Sequence, residues 1–415
     1  MLREAFWGTI KNYSDFFAVV WDAIVFLYVW SPLWLPLFLL YIFWTIWMNY
    51  AKKRFVLKQG SVLLEIKMPR EITKSPLAME IVLTSLYQTG SASYIEAFID
   101  GKVRPWFSLE MVSHGGDVRF YIWTQTKWKN LIEAQIYAQY PEVEIYEVED
   151  YTKDFEYDPS KHVIWCTHYK LTNPDVYPIK TYIDYGLDKN EKEEYKIDPI
   201  TAILEYLGSI KKGDRAWFQI LIQAHRKEGA KDLRLSKKPD WKVAAEKELQ
   251  TLRDKLKTGG ENAYPRIPTK GEAEVVAAIE RSISKWPFDC MIRGAYLATK
   301  ENFNSVYISG LIGSFRQFST NSGLNSFKLG FFTDFDYPWQ DFRRIRRTKI
   351  EHEFLDAYRR RSFFQHPYKN WHAKPFVLNT EELATIYHFP GAVASTPTLT
   401  RIPSKKSEAP SNLPI

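Results

Sequence analysis

Apolar residues run almost unbroken from Trp30 to Tyr50 with no charge among them, and Lys52, Lys53 and Arg54 follow at once. Between Leu33 and Tyr50 only Thr45 and Asn49 are clearly polar. A helix over that stretch is roughly 27 Å long, close to the hydrocarbon thickness of a bilayer. The pattern predicts a transmembrane helix over residues 31–50, with Trp34, Leu37, Leu40, Trp44 and Trp47 as its anchoring side chains. The basic cluster Lys52, Lys53 and Arg54 marks the cytoplasmic flank by the positive-inside tendency, so the bulk of the chain is expected on the cytoplasmic side.

The preceding stretch, Phe16 to Trp30, is apolar apart from Asp22. Two readings stay open for a helix over residues 5–30. A first membrane span places Asp22 near the bilayer centre at a cost of about 2.5–3.5 kcal/mol. An interfacial helix is cheaper: Phe6, Trp7, Ile10, Phe17, Val20 and Trp21 face lipid while Arg3, Glu4, Lys11, Asp15 and Asp22 face water. A cleaved signal peptide fits less well, because no small-residue cleavage site follows the apolar run.

Beyond Arg54 the period changes. SVLLEIKM reads as a strand, Ser75 and Pro76 open a helix, PWFSLEMVSH and DVRFYIWTQT form a hairpin about Gly115 and Gly116, KWKNLIEAQIYAQY is a helix, and VEIYEVED is a strand. That β-α-β-β-α-β order predicts a ferredoxin-like module over residues 55–155. The order returns over residues 156–389: a strand (HVIWCTHYKL), a helix opening at Asp198 and Pro199, and the strands AWFQILIQAH and PFDCMIRGAYLATK. A helix (NSVYISGLIGSF) follows, with KPFVLN as the closing strand. Insertions interrupt this second module over about residues 226–285, where a charged, projecting helical arm is expected, and over residues 318–373. The fold class expected is α+β: a membrane anchor over residues 1–54, two ferredoxin-like modules, the second with helical insertions, and an extended Pro/Ser-rich tail over residues 390–415.

Composition adds little specificity. A net charge of +7 suits an anionic membrane surface and does not by itself imply nucleic acid. Cys166 and Cys290 lie in apolar strand-like stretches and are expected buried and reduced. No phosphate loop, metal-spaced histidine set, C-x-x-C pair or nucleophile elbow occurs in the sequence. The chain is therefore expected to be non-enzymatic, with no cofactor and no metal.

One segment concentrates positive charge. Arg343, Arg344, Arg346, Arg347, Lys349, Arg359, Arg360 and Arg361 interleave with Phe342, Ile345, Phe354, Leu355, Tyr358, Phe363 and Phe364. Arginine beside aromatic rings suits phosphate contact and stacking, which points to DNA or acidic lipid. The alternative is a docked helix whose arginines pair with Glu191, Glu193, Glu194, Asp334 or Asp336.

The C-terminal stretch carries N-T-E-E-L-A-T, then F-P-G, T-P-T-L-T-R and S-K-K-S-E-A-P-S-N-L-P. It resembles the segment just ahead of the ATPase core in bacterial type IV secretion coupling proteins and conjugative-transfer ATPases. LLEIKMPREITKSPLAMEIVLTSLYQTG likewise resembles the membrane-proximal region of an uncharacterised bacterial family associated with them. No phosphate loop follows before Ile415. The resemblance thus implies a scaffold at the bacterial inner membrane that forms an oligomer with a separate ATPase. Glu381, Glu382, Leu383, Phe389, Pro390, Gly391, Pro397, Leu399 and Arg401 are the implied docking positions.

Overall fold

A computed structural model describes residues 2–69, 74–90, 92–189, 197–226, 240–258, 269–320, 323–335, 337–391 and 401–402. The chain forms two compact units, one of residues 1–55 with 93–102, the other of residues 56–92 with 103–415.

The elements follow in chain order. Helices α1 (Leu2–Val29) and α2 (Ser31–Gln59) lead to β1 (Val62–Pro69), α3 (Leu77–Ser85) and α4 (Tyr94–Phe98). Then come β2 (Phe107–His114), β3 (Asp117–Thr124), α5 (Lys129–Gln139), β4 (Glu144–Val148), β5 (His162–Leu171), α6 (Ile200–Gly208) and β6 (Arg215–Ala224). Helices α7 (Trp241–Thr258) and α8 (Lys270–Ile283) precede β7 (Pro287–Thr299), α9 (Ser305–Gly313) and β8 (Phe327–Phe332). The chain closes with α10 (Ile345–Arg359), β9 (Phe376–Asn379), α11 (Thr380–Ile386) and β10 (Arg401–Ile402).

In the first unit α2 is the one helix among the described residues long and apolar enough to cross a membrane. Leu37 and Leu40 are exposed along it, as are Lys53 and Arg54 at its basic flank. The apolar stretch Phe16–Val29 of α1 is shorter. Helix α4 packs on α2, where the Trp44 and Phe98 rings meet at 5.5 Å and Trp47 Nε1 donates to the Phe98 carbonyl at 2.9 Å.

The second unit is built on one ten-stranded, mainly antiparallel sheet ordered β10-β1-β3-β2-β6-β7-β5-β8, with β4 also on β1 and β9 also on β7. The β2–β3 turn holds Gly115 at φ +61° and Gly116 at φ +94°, the double left-handed geometry that a two-residue hairpin loop requires. One sheet face carries the larger core, with Leu64, Phe107, Phe120, Phe218 and Ile220 buried against helical residues such as Leu83, Ile132, Leu204, Leu311 and Leu383. The opposite face buries Trp123, Ile164, Trp217 and Met291 against Phe354, Leu355 and Tyr358 of α10.

Two expectations shift. The strand beside β5 is β8, within the expected 318–373 insertion, whereas Phe376–Asn379 of KPFVLN pairs with β7 as β9. Adjacent apolar residues alone did not distinguish these two edges. The expected projecting arm is docked: Trp241, Ala245 and Leu249 of α7 and Ile279 of α8 are buried with Val176 and Val377. On α3 the buried side chains are Ala78, Met79, Glu80, Val82 and Leu83, while Leu77 and Ile81 are exposed.

Candidate functional site

The antiparallel register lines up Tyr146, Glu65, Tyr121, Glu110, Gln219, Arg293 and His168 in one row across seven strands. From Glu110 to His168 the row is fully buried beneath α10 and the turn that follows it. Burying charge is costly unless it is paired and hydrogen-bonded, and for Glu110 both conditions hold. Arg361 donates through Nε and Nη2 to the two oxygens of Glu110, at 2.9 and 3.0 Å, and also pairs with Asp150. Ser108, Gln219 and Tyr151 complete the Glu110 carboxylate at 2.6, 3.0 and 2.8 Å.

Arg293 has no carboxylate beside it. It donates to the carbonyls of Ala357 and Ser362 and to Gln219 Oε1, so Gln219 links the two arginine sites. Burial lowers the Arg293 guanidinium to about 9. For Asp150 burial acts upward, but Arg361 and Thr152 outweigh it and hold the carboxyl below its ordinary value. His168 sits among Phe331, Phe354 and Trp371, and burial pushes its imidazole well below the usual range.

This arrangement divides the basic segment into inward and outward residues. Arg361 is buried, Arg359 donates to the Phe155 carbonyl, and Arg347 pairs with Asp334 and Glu351. Arg360 is exposed and pairs with Asp356 at 2.8 Å. The helix is also shorter than the charge pattern suggests. Arg343 and Arg344 lie at φ +58° before α10, and Arg361 at φ +47° after it. That left-handed turn brings the Asp341 carboxylate onto the N–H groups of Arg346 and Arg347 at 2.8 and 2.9 Å, satisfying otherwise open donors at the helix start. Glu191, Glu193, Glu194 and Asp336 lie outside the described residues.

What remains outward is a compact aromatic and basic surface. The Tyr337 and Trp339 rings stack with centroids 4.6 Å apart at 9°, and Trp339, Phe342 and Ile345 are 77%, 73% and 66% exposed. Arg343, Arg344 and Arg346 are exposed beside them.

The N-T-E-E-L-A-T motif is internal, contrary to its expected docking role. Asn379 and Glu382 cap α11 reciprocally. Glu381 accepts from Thr181 and Arg281 at 2.6 and 3.0 Å, and Lys285 bridges toward Glu80. Burial raises the Glu382 carboxyl to about 8, against the backbone N–H groups of Asn379 and Ile179 that it accepts from. Leu383, Phe389 and Pro390 are buried too. A conspicuous motif thus marks a folding element. Pro397 and Leu399 lie outside the described residues, and Arg401 lies in β10, which pairs in parallel with Met68 and Pro69 of the chain's own β1.

His388 and Asp198 form a buried pair at 3.1 Å. Burial opposes charge on both. The partner's charge and local hydrogen bonds win, raising His388 and lowering Asp198 from their ordinary values. An open groove of about 600 Å³ beside α10 is lined by Glu156, Tyr157, His352, Glu353, Asp356 and Arg359. Two of its acids are engaged: Glu353 accepts from Trp371 and Asp356 from Tyr368 and Arg360. Among the described residues no three His, Cys, Asp or Glu side chains gather as a metal site.

The buried row was legible only as isolated exceptions, an acid in FSLEMVSH and an arginine in DCMIRGAY. Residues 54–401 match the family described as Domain of unknown function (DUF8128), and the chain belongs to that family. No curated protein matches it.

Two outcomes follow from this geometry. Arg361→Met strands the Glu110 charge and costs about 3–5 kcal/mol in chemical unfolding of the detergent-solubilised protein, while Arg344→Ala changes stability by less than about 0.5 kcal/mol. For the His388–Asp198 pair, the raised imidazole gives stability fully present below about pH 6.5 and lost as pH climbs through its folded value. The lowered carboxyl gives stability present above about pH 4 and lost in more acid solution. His388→Gln is therefore more destabilising at about pH 5.5 than at about pH 9; equal losses at both would exclude this charge pairing.

Proposed function

We propose that this protein is a non-enzymatic, membrane-anchored scaffold. It holds a separate phosphate-loop ATPase of a type IV secretion-like or conjugative transfer machine at the cytoplasmic face of the bacterial inner membrane, as an oligomer with that partner. The observation that carries the anchoring is the apolar, lipid-compatible exterior of α2, followed within the same helix by Lys52, Lys53 and Arg54 and then, three residues past its end, by β1. The non-enzymatic part is supported by the internal pairing of Glu381 with Arg281, Glu110 with Arg361 and His388 with Asp198, which serve the fold. The partner assignment rests on the resemblance of the C-terminal motifs.

We read the two halves of the sheet, β4-β1-β3-β2 and β8-β5-β7-β6, as two ferredoxin-like units joined edge to edge through β2 and β6. With Glu381, Glu382 and Phe389 buried, contact with the ATPase falls to the chain after Gly391 and to the outward surface around Trp339 and Phe342. A deletion from Leu378 is not a usable test, because it strips Leu383, Ile386, Tyr387 and Phe389 from the core at about 2–5 kcal/mol each. The full chain in lipid nanodiscs captures a phosphate-loop ATPase of the type IV secretion coupling class, and a chain ended at Gly391 captures it less. Undiminished capture by the shortened form excludes docking through the tail, and recovery of the full chain in the soluble fraction without detergent excludes the anchor.

A second reading is favoured by one observation, the stacked, exposed Tyr337–Trp339 pair beside three outward arginines. That surface suits single-stranded nucleic acid, whose bases stack and whose phosphates attract arginine. Replacing Arg343, Arg344 and Arg346 together by alanine then lowers the log–log salt slope of single-stranded DNA binding by about 2. An unchanged slope removes this reading.

A further inference from the structure

We infer that α4 is a membrane foot: a short amphipathic helix seated in the lipid–water boundary beside α2, with Tyr94, Ile95 and Ile99 in contact with anionic lipid. This deepens the anchoring reading and rests on it. Tyr94, Ile95 and Ile99 are 58%, 67% and 60% exposed, a dense apolar cluster for a helix of 5 residues. Ile95 and Ile99, four residues apart, share one face. Ala97 is buried, and Phe98 turns toward α2, where its ring meets Trp44. The polar groups are satisfied locally: Glu96 closes the capping box with Ser93 and pairs with Lys102 at 3.0 Å.

The level of attachment selects lipid as the occupant. Trp44, Trp47 and Ala51, the α2 residues that meet α4 and the turn after it, run from the second half of the apolar stretch to its end, where Ala51 immediately precedes Lys52, Lys53 and Arg54. If Leu33 begins the hydrocarbon crossing, Trp44 and Ala51 lie roughly 16 and 27 Å along it, spanning the depth at which interfacial helices rest. Exposed apolar side chains at that level, next to cations that attract anionic headgroups, continue the lipid-facing surface of α2.

The joint between α4 and α2 suits a water-poor setting. Trp47 Nε1–H donates to the Phe98 carbonyl at 2.9 Å, satisfying a helix-end acceptor and an indole donor together. Gly101, at φ +70°, lets the chain after α4 touch α2: a Cβ there would lie 2.3 Å from the Ala51 carbonyl carbon. The foot is thereby held at one height and cannot swing into solvent without breaking this packing.

The test uses the full chain in nanodiscs containing anionic lipid, with single nitroxide labels at Ile95→Cys, Ile99→Cys, Asp100→Cys and Leu39→Cys. Cys166 and Cys290 are buried and stay unlabelled. Collision with oxygen against a water-soluble nickel chelate reports depth. Labels at 95 and 99 show an oxygen-to-nickel ratio several-fold above that at 100 and below that at 39. If 39 reads lipid while 95 and 99 read water, the foot is wrong and the anchor stands. A label at 39 open to nickel overturns the anchor and the foot together. Shielding of 95 and 99 from both reagents shows a protein occupant, a partner or a second copy, and also overturns the foot.

Discussion

The row of Glu110, Gln219 and Arg293 ties the two halves of the sheet together, because its hydrogen bonds cross the β2–β6 junction and continue into β7. Polar groups buried at that depth tolerate only one register: a slip by a single residue would turn every side chain on the strand to the opposite face and leave Glu110 or Arg293 unpartnered. Apolar neighbours could be repacked at modest cost, whereas this row could not. Arg361 extends the constraint upward, since its fork on Glu110 fixes the turn after α10 above the sheet. The cover on that face therefore depends on the same charge balance as the junction beneath it.

The other face is secured differently. There α11, a helix of 7 residues, is buried almost completely and is held by its own capping box, by Thr181 and Arg281 on Glu381, and by the His388–Asp198 pair just beyond. A short helix in isolation is marginal, so its order comes from tertiary contacts rather than propensity. Tyr387 and Phe389 then fix the exit of the chain, with Phe389 packing against Tyr140 and Phe120. Beyond them β10 lies against β1, so part of the tail completes the chain's own sheet.

These two networks account for most of the chemistry-bearing residues that the second unit encloses. Among the described residues, exposed apolar groups gather in the cluster from Tyr337 to Ile345 and, on the first unit, along α2 and α4. The first of these sets aromatic rings beside Arg343, Arg344 and Arg346, and α2 carries Lys53 and Arg54 at its basic flank.

The sequence by itself determined the elements whose signal is local. A run without charge identified α2, the Gly115–Gly116 pair identified the hairpin, and short apolar stretches identified β1, β2, β5 and β6, because each signal lies within one turn or one strand. Only the tertiary structure decided which face of each strand was covered and by what. Glu110 and Arg293 look like outward residues until α10 folds over them, and Glu381 and Glu382 look like a surface motif until α3, α8 and the 179–184 segment close around them. The assignment of β8 rather than β9 to the edge beside β5 was likewise a long-range choice, made between two short apolar segments. Burial of a polar side chain is a property of partners distant in sequence, and no window along the chain contains them.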